Sequence, residues 1–172
     1  MIVVTGGAGF IGSTLVNSFK DEEIIIIDTF SHNSQKYYLP YTNGNIRLVN
    51  LKNCDLVLDQ NKDKIKYFYH LGANSSTDQS VLEETIKLNI SWSQHFWDFC
   101  TLNQIPFIYA SSAATYGDGS YGFSDQTSLK ELNEIKLEGF YGWSKMFFDS
   151  FAINQSTKGI CPPKWHGLKF FN

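Results

Sequence analysis

Short apolar runs alternate with stretches in which apolar residues return every three or four positions, and this alternation predicts a parallel sheet covered by helices. Ile2-Val3-Val4 is the first strand-like run and Ile24-Ile25-Ile26-Ile27, closing on Asp28, the second. Residues 46–49, 66–71, 106–110 and 167–171 read as the third to sixth strands. Helical spacing connects Phe10, Ile11, Leu15, Val16 and Phe19; then Ile86, Asn89, Ile90, Ser93, Trp97 and Cys100; then Tyr141, Lys145, Phe148 and Phe151. Trp92, Phe96 and Phe99 cannot all share the buried side of the second of these helices. They predict either aromatic cover within one chain or a contact with another subunit in a homo-oligomer.

The junction after the first strand carries the strongest chemical signal. Gly6, Gly9 and Gly12 follow Thr5 at three-residue spacing and lead into a helix. There Gly6 permits a sharp turn, Gly9 lets backbone approach a pyrophosphate, and Gly12 lets helix and strand pack closely. The helix's positive end attracts phosphate, and Asp28 stands about 20 residues on, where an acid meets a ribose hydroxyl. A dinucleotide is the expected ligand. The expected fold class is α/β: a Rossmann-like, doubly wound parallel sheet with helices on both faces, in a single domain over residues 1–172. Thr29 to Asn45, with Tyr37, Tyr38, Pro40 and Tyr41, reads as a loop bordering the adenosine end.

Composition removes several alternatives. The chain has 172 residues, 42% of them hydrophobic, enough for one sizeable core but not for two ordinary domains. A net charge of −3 without a basic block gives no footprint for nucleic acid. Cys54, Cys100 and Cys161 lack metal-ligand spacing, and His32, His70, His95 and His166 are scattered, so no metal is assigned. His70, at a strand end, reads as a packed core histidine. No apolar run approaches the 18 or so residues of a membrane span and no signal peptide precedes the first strand, so a cytoplasmic location is expected.

Tyr141 and Lys145 form Tyr-x-x-x-Lys, which on a helix places both on one side, a turn apart. A nearby ammonium favours the phenolate and brings the phenol toward useful acid/base chemistry at neutral pH. Taken alone the pair also suits a solvated surface. Ser111 and Ser112, directly after the fifth strand, add a hydroxyl over the same crevice that can hydrogen-bond a reacting oxygen.

Together these segments resemble the short-chain dehydrogenase/reductase superfamily, in its extended branch of nucleotide-sugar epimerases and dehydratases. The likeness runs through Thr5-Gly6-Gly7-Ala8-Gly9-Phe10-Ile11-Gly12, Asp28, His70-Leu71-Gly72-Ala73, Asn89 and both catalytic segments. It implies a catalytic triad of Ser112, Tyr141 and Lys145. It also implies a coenzyme site from Gly6, Gly9, Phe10, Ile11, Gly12, Asp28, Thr29, Leu71, Gly72, Ala73, Ser75, Asn89 and Lys145. Within the branch, residues 109–117, 72–77, 141–149 and 167–172 are most similar to the ADP-glyceromanno-heptose 6-epimerases, with Asn74 where those have Cys. That likeness implies an ADP-heptose substrate touched by Ser112 and Asn172, oxidised transiently at C6 and re-reduced on the opposite side. Ala113-Ala114 lack the acids of the branch's dehydratases, which disfavours dehydration.

Two points stay open at this stage. NAD suits Asp28, whereas the heptose epimerases resembled here generally take NADP, for which Arg47 is the candidate 2′-phosphate partner. The last predicted strand ends at Asn172, so the substrate lobe is expected to be absent and turnover by this segment weak or nil. UDP-hexose 4-epimerisation, nucleotide-sugar reduction and a catalytically silent dinucleotide-binding module stand as alternatives.

Overall fold

The structure, a computed structural model, describes residues 1–31, 45–76, 79–124 and 128–171. Tyr37, Tyr38, Pro40, Tyr41 and Asn172, assigned above to the adenosine loop and the substrate, lie outside the described residues.

Six strands, β1 (Ile2–Thr5), β2 (Ile24–Asp28), β3 (Ile46–Asn50), β4 (Tyr67–His70), β5 (Phe107–Ser112) and β6 (Trp165–Phe170), form one parallel sheet in the order β3-β2-β1-β4-β5-β6. This is the doubly wound order, which reverses direction between β1 and β4 and opens a crevice beyond the strands' carboxyl ends. The helices are α1 (Phe10–Ser18), α2 (Cys54–Asn61), α3 (Leu82–Thr85), α4 (Trp92–Leu102), α5 (Leu129–Glu134) and α6 (Gly139–Thr157). A π-helical segment, Ile86–Ser91, joins α3 to α4, and a tight 3₁₀ turn, Ala113–Tyr116, follows β5.

The continuous apolar character of β1 and β2 follows from burial on both sides. Ile2, Val4, Ile24 and Ile26 pack toward Val16 of α1. Val3, Ile25 and Ile27 pack on the opposite side with Val57 and Leu58 of α2, Phe96, Trp97 and Cys100 of α4, and Phe148 and Ala152 of α6. Each fully buried isoleucine contributes roughly 1.5–3 kcal/mol relative to exposure. The α1 side is less covered over the other half of the sheet, where Tyr67 and Leu168 stay 45% and 44% exposed.

The aromatic side chains left open above are absorbed within the chain. Phe96 is fully buried, and Trp92 and Phe99 pack against the core from its margin. Trp92 stacks on Phe96 with centroids 5.4 Å apart, and Phe68 lies 5.1 Å from Phe96. Ile86, expected on the buried side, is instead exposed. No helix of the described residues is long and apolar enough to cross a membrane.

Candidate functional site

The β1–α1 junction is a built cradle. Gly6 has φ +66°, the left-handed turn that an L side chain resists, and a Cβ there would lie 2.6 Å from the Gly72 Cα. The turn after β1 and the end of β4 therefore touch backbone to backbone. A Cβ on Gly12 would sit 2.1 Å from the Gly6 carbonyl oxygen, so helix α1 starts directly beneath the turn. Gly9, at the cap, places no side chain over the helix's first amides, which suits an anion at that end.

Beyond this cradle opens a cleft of about 700 Å³. Gly6, Gly9, Phe10, Asp28, Thr29, Leu71, Gly72, Ala73 and Ser75 line it, as the sequence reading expects. Its size and its cradle fit a dinucleotide. Asp28 is buried, and its carboxylate accepts from the Ala8 amide at 3.2 Å and the Phe30 amide at 3.3 Å, which aims it at the turn. Leu51, Glu84, Leu88 and Trp92 are also on the wall. The sequence reading does not place them there: Leu51 follows directly on the end of β3, and the other three lie between β4 and the start of α4.

Five expected coenzyme residues, Ile11, Gly12, Arg47, Asn89 and Lys145, are not on the cleft wall. Arg47 is paired in register with Ile25, at the amino end of β3, whereas Asp28 pairs with Asn50 at the carboxyl end. Three residues of strand, about 10 Å, separate the two levels, and Arg47 lines a different hollow with Met1 and Asn61. Arg47 is thus not placed for a 2′-phosphate beside Asp28. Ile11 is 44% exposed and does not line the cleft.

Asn89 also differs from its expected place. It is buried in the π-helical segment, and its amide accepts from Asn74 N at 2.7 Å while donating to Asn74 O at 2.9 Å and Ser144 Oγ at 3.0 Å. It ties the loop after β4 to helix α6.

A chain of hydrogen bonds continues from there. Ser93 Oγ donates to Asn89 O at 2.8 Å, so its oxygen accepts from His70 Nε2, also at 2.8 Å. His70 Nδ1 then accepts from the Thr5 hydroxyl at 2.7 Å, and Thr5 Oγ1 in turn accepts from Gly72 N at 3.1 Å. The bond directions assign His70 as the neutral Nε2–H tautomer. Burial, with a smaller push from the Lys145 charge, lowers its pKa to about 3. His70 is a satisfied core histidine that also lines the cleft.

This makes stability sensitive to acid. The folded pKa lies below the ordinary value of 6.5, so between the two the unfolded chain binds more protons, and stability falls as pH drops through that window. Urea unfolding is expected to lose about 2 kcal/mol from this group between pH 7 and pH 5. The His70→Asn variant should lack that part of the loss; an unchanged pH slope would count against the assignment.

The three expected catalytic residues come from β5 and α6. Ser112 ends β5, and its Oγ accepts from Ala114 N at 3.1 Å, a bond that leaves the hydroxyl hydrogen unused. Gly142 of α6 packs on the turn that Ser112 caps, with room for no more than a tight Cβ, 3.3 Å from Ala114 O. That contact brings Tyr141, half-buried, alongside the hydroxyl turn. Lys145, one helical turn on, is buried and donates to Ala110 O at 2.8 Å. Burial brings its pKa down to about 8, with Asp149 acting in the opposite direction. Its charge also acts on His70, which stands on the cleft wall.

A glycine cradle lies under a dinucleotide-sized cleft, and a hydroxyl, a phenol and an ammonium come from β5 and α6. Two curated proteins matched over the whole chain are the ADP-L-glycero-D-manno-heptose-6-epimerases of Fusobacterium nucleatum, 38% identical, and Nitratidesulfovibrio vulgaris, 35% identical. The chain spans about half the length of these relatives, 52% and 53%. Among solved structures, the Helicobacter pylori ADP-L-glycero-D-manno-heptose-6-epimerase superposes with a TM-score of 0.76 at 26% identity, covering 99% of this chain and 55% of that one. The UDP-N-acetylglucosamine 4-epimerase of Methanobrevibacter ruminantium, in complex with UDP-N-acetylmuramic acid, gives 0.76 at 27%, covering 99% and 54%. The model of the NAD dependent epimerase/dehydratase family matches residues 2–162, from the first strand to just short of the sixth, and so takes in the cradle, the cleft and the catalytic helix together. The chain belongs to the NAD dependent epimerase/dehydratase family.

Proposed function

We propose that this chain forms the coenzyme-binding and proton-transferring half of a nucleotide-sugar epimerase, with ADP-heptose as the favoured substrate. The observation that carries this reading is the Gly6–Gly12 cradle beneath a dinucleotide-sized cleft, with Ser112 at the end of β5 and Lys145 bonded to that same strand from the helix that also carries Tyr141. The names of the relatives support the substrate class.

When bound, the nicotinamide coenzyme supplies reversible acceptance of a hydride from the carbon that bears the reacting hydroxyl. The chain's own residues then have distinct tasks. Tyr141 takes the hydroxyl proton as the sugar is oxidised and returns one as it is re-reduced. Ser112 donates its hydroxyl hydrogen to the reacting oxygen and fixes its position. Lys145 places positive charge beside the phenol and the coenzyme ribose. Asp28 accepts from a ribose hydroxyl. Asp28 on the cleft wall suits the free 2′-hydroxyl of NAD.

Titration of the chain with NAD and NADP, followed through Trp92 fluorescence, tests the coenzyme site without needing turnover. NAD is expected to bind more tightly, and Arg47→Ala to leave both dissociation constants within about twofold. Binding of neither coenzyme would remove the proposal. Incubating a protein of the relatives' full length with ADP-heptose and with UDP-hexoses then separates heptose 6-epimerisation from hexose 4-epimerisation by product.

A further inference from the structure

Behind the proposed catalytic residues lies a second cluster of charge. Asp149, one helical turn after Lys145, is buried and receives the Tyr109 hydroxyl on Oδ1 and the Ser111 hydroxyl on Oδ2, both at 2.8 Å. Lys169 of β6 stands 3.6 Å from Oδ2 and donates to Thr115 Oγ1 at 2.8 Å. The Thr115 hydroxyl in turn donates to the Ser112 carbonyl at 2.7 Å. Lys169 also lies over the Tyr116 ring, 4.4 Å from its centroid.

We propose that Asp149 is a positioning residue for the reaction: its carboxylate ties α6 to the hydroxyl-bearing end of β5 and sets a counter-charge one helical turn from Lys145. The inference rests on the roles given above to Ser112 and Lys145.

The geometry supports both parts. Ser111 is Ser112's neighbour in the strand, and the path Asp149–Lys169–Thr115 reaches Ser112 from the other side, so one carboxylate braces the strand end twice. Tyr109 remains a donor, because burial and then the Asp149 charge hold its phenol protonated. A lysine as deeply buried as Lys145 loses its proton readily unless an opposite charge is near. The groups that act on it are the Ala110 carbonyl from β5, neutral His70 from β4, and Asp149 from its own helix. Of these, Asp149 carries the negative charge. Burial raises the Asp149 carboxyl above its ordinary value, and Ser111, Lys169, Tyr109 and Lys145 offset part of that rise.

The test uses Asp149→Asn, which keeps the shape and one acceptor but removes the charge. In this chain, labelled lysine side chains followed by NMR should show the Lys145 midpoint, near 8 in the wild type, falling by about one pH unit or more in the variant. This readout needs no turnover, so it stands apart from success or failure of the epimerase reading. In a full-length protein the same variant should move the pH limb of kcat downward by a similar amount, and Asp149→Glu should restore it. An unmoved Lys145 midpoint overturns the counter-charge role. Ser111→Ala, which keeps the carboxylate and cuts one tether, serves if Asp149→Asn does not fold. It should lower kcat about tenfold with KM and coenzyme affinity unchanged, and an unchanged kcat overturns the bracing role.

Discussion

Tyr141→Phe in a protein of the relatives' full length will lower epimerisation by about 10²–10⁴-fold while leaving coenzyme affinity nearly unchanged. The ring stays and only the hydroxyl that exchanges a proton is lost, so packing of α6 on the Ala113–Tyr116 turn is preserved through Gly142. Lys145 keeps its bond to Ala110 O, which does not involve the phenol. Steady-state rates together with a coenzyme titration check the result. Undiminished epimerisation removes Tyr141 from the mechanism, and loss of coenzyme binding would mean that the phenol serves the cradle instead.

Gly12→Ala is expected to have the largest effect on the fold of any single methyl added to this chain's cradle. The new Cβ would meet the Gly6 carbonyl oxygen at 2.1 Å and the Gly6 carbonyl carbon and Gly7 Cα at 2.8 Å, all backbone atoms. No side chain can turn aside to relieve them, so either α1 moves away from the turn or the turn itself opens. The expected cost is about 3 kcal/mol or more in unfolding free energy, with at least a tenfold weaker coenzyme dissociation constant. Denaturant unfolding and the same titration measure both. A variant that binds NAD as tightly as the wild type would show that the cradle does not hold the pyrophosphate.

These two substitutions probe features of different visibility in the amino-acid order. The cradle was readable because it is local: a strand, three glycines at fixed spacing, a helix and an acid at the next strand end all lie within residues 1–28. Strand boundaries were readable to one or two residues. The sixth begins at Trp165, ahead of its apolar run, because Trp165 pairs with Phe107 and packs beside Trp97. The helix before β5 was readable as periodic but not as interrupted. Its π-helical segment coincides with Asn89, whose partners Asn74 and Ser144 lie 15 and 55 residues away, and no local pattern encodes them.

The site residues divide in the same way. Asp149 sits four residues after Lys145, a spacing that places the two on one side of a helix, yet its hydroxyl and lysine partners come from two strands. Arg47 was a candidate because residues 47–51 resemble a segment of the heptose epimerases. Parallel register set it at the amino end of β3, away from the crevice.

Periodicity, glycine spacing and residue type, all short-range properties, were enough by themselves to determine the strand and helix alternation, the dinucleotide cradle and the Tyr141–Lys145 pair. Tertiary structure alone decided which side chains meet: the neutral His70 chain, the Asp149 brace, the exclusion of Arg47, and Trp92 on the cleft wall. The reason is that strand order and register bring together residues distant along the chain, and burial then sets their charge and hydrogen-bond partners.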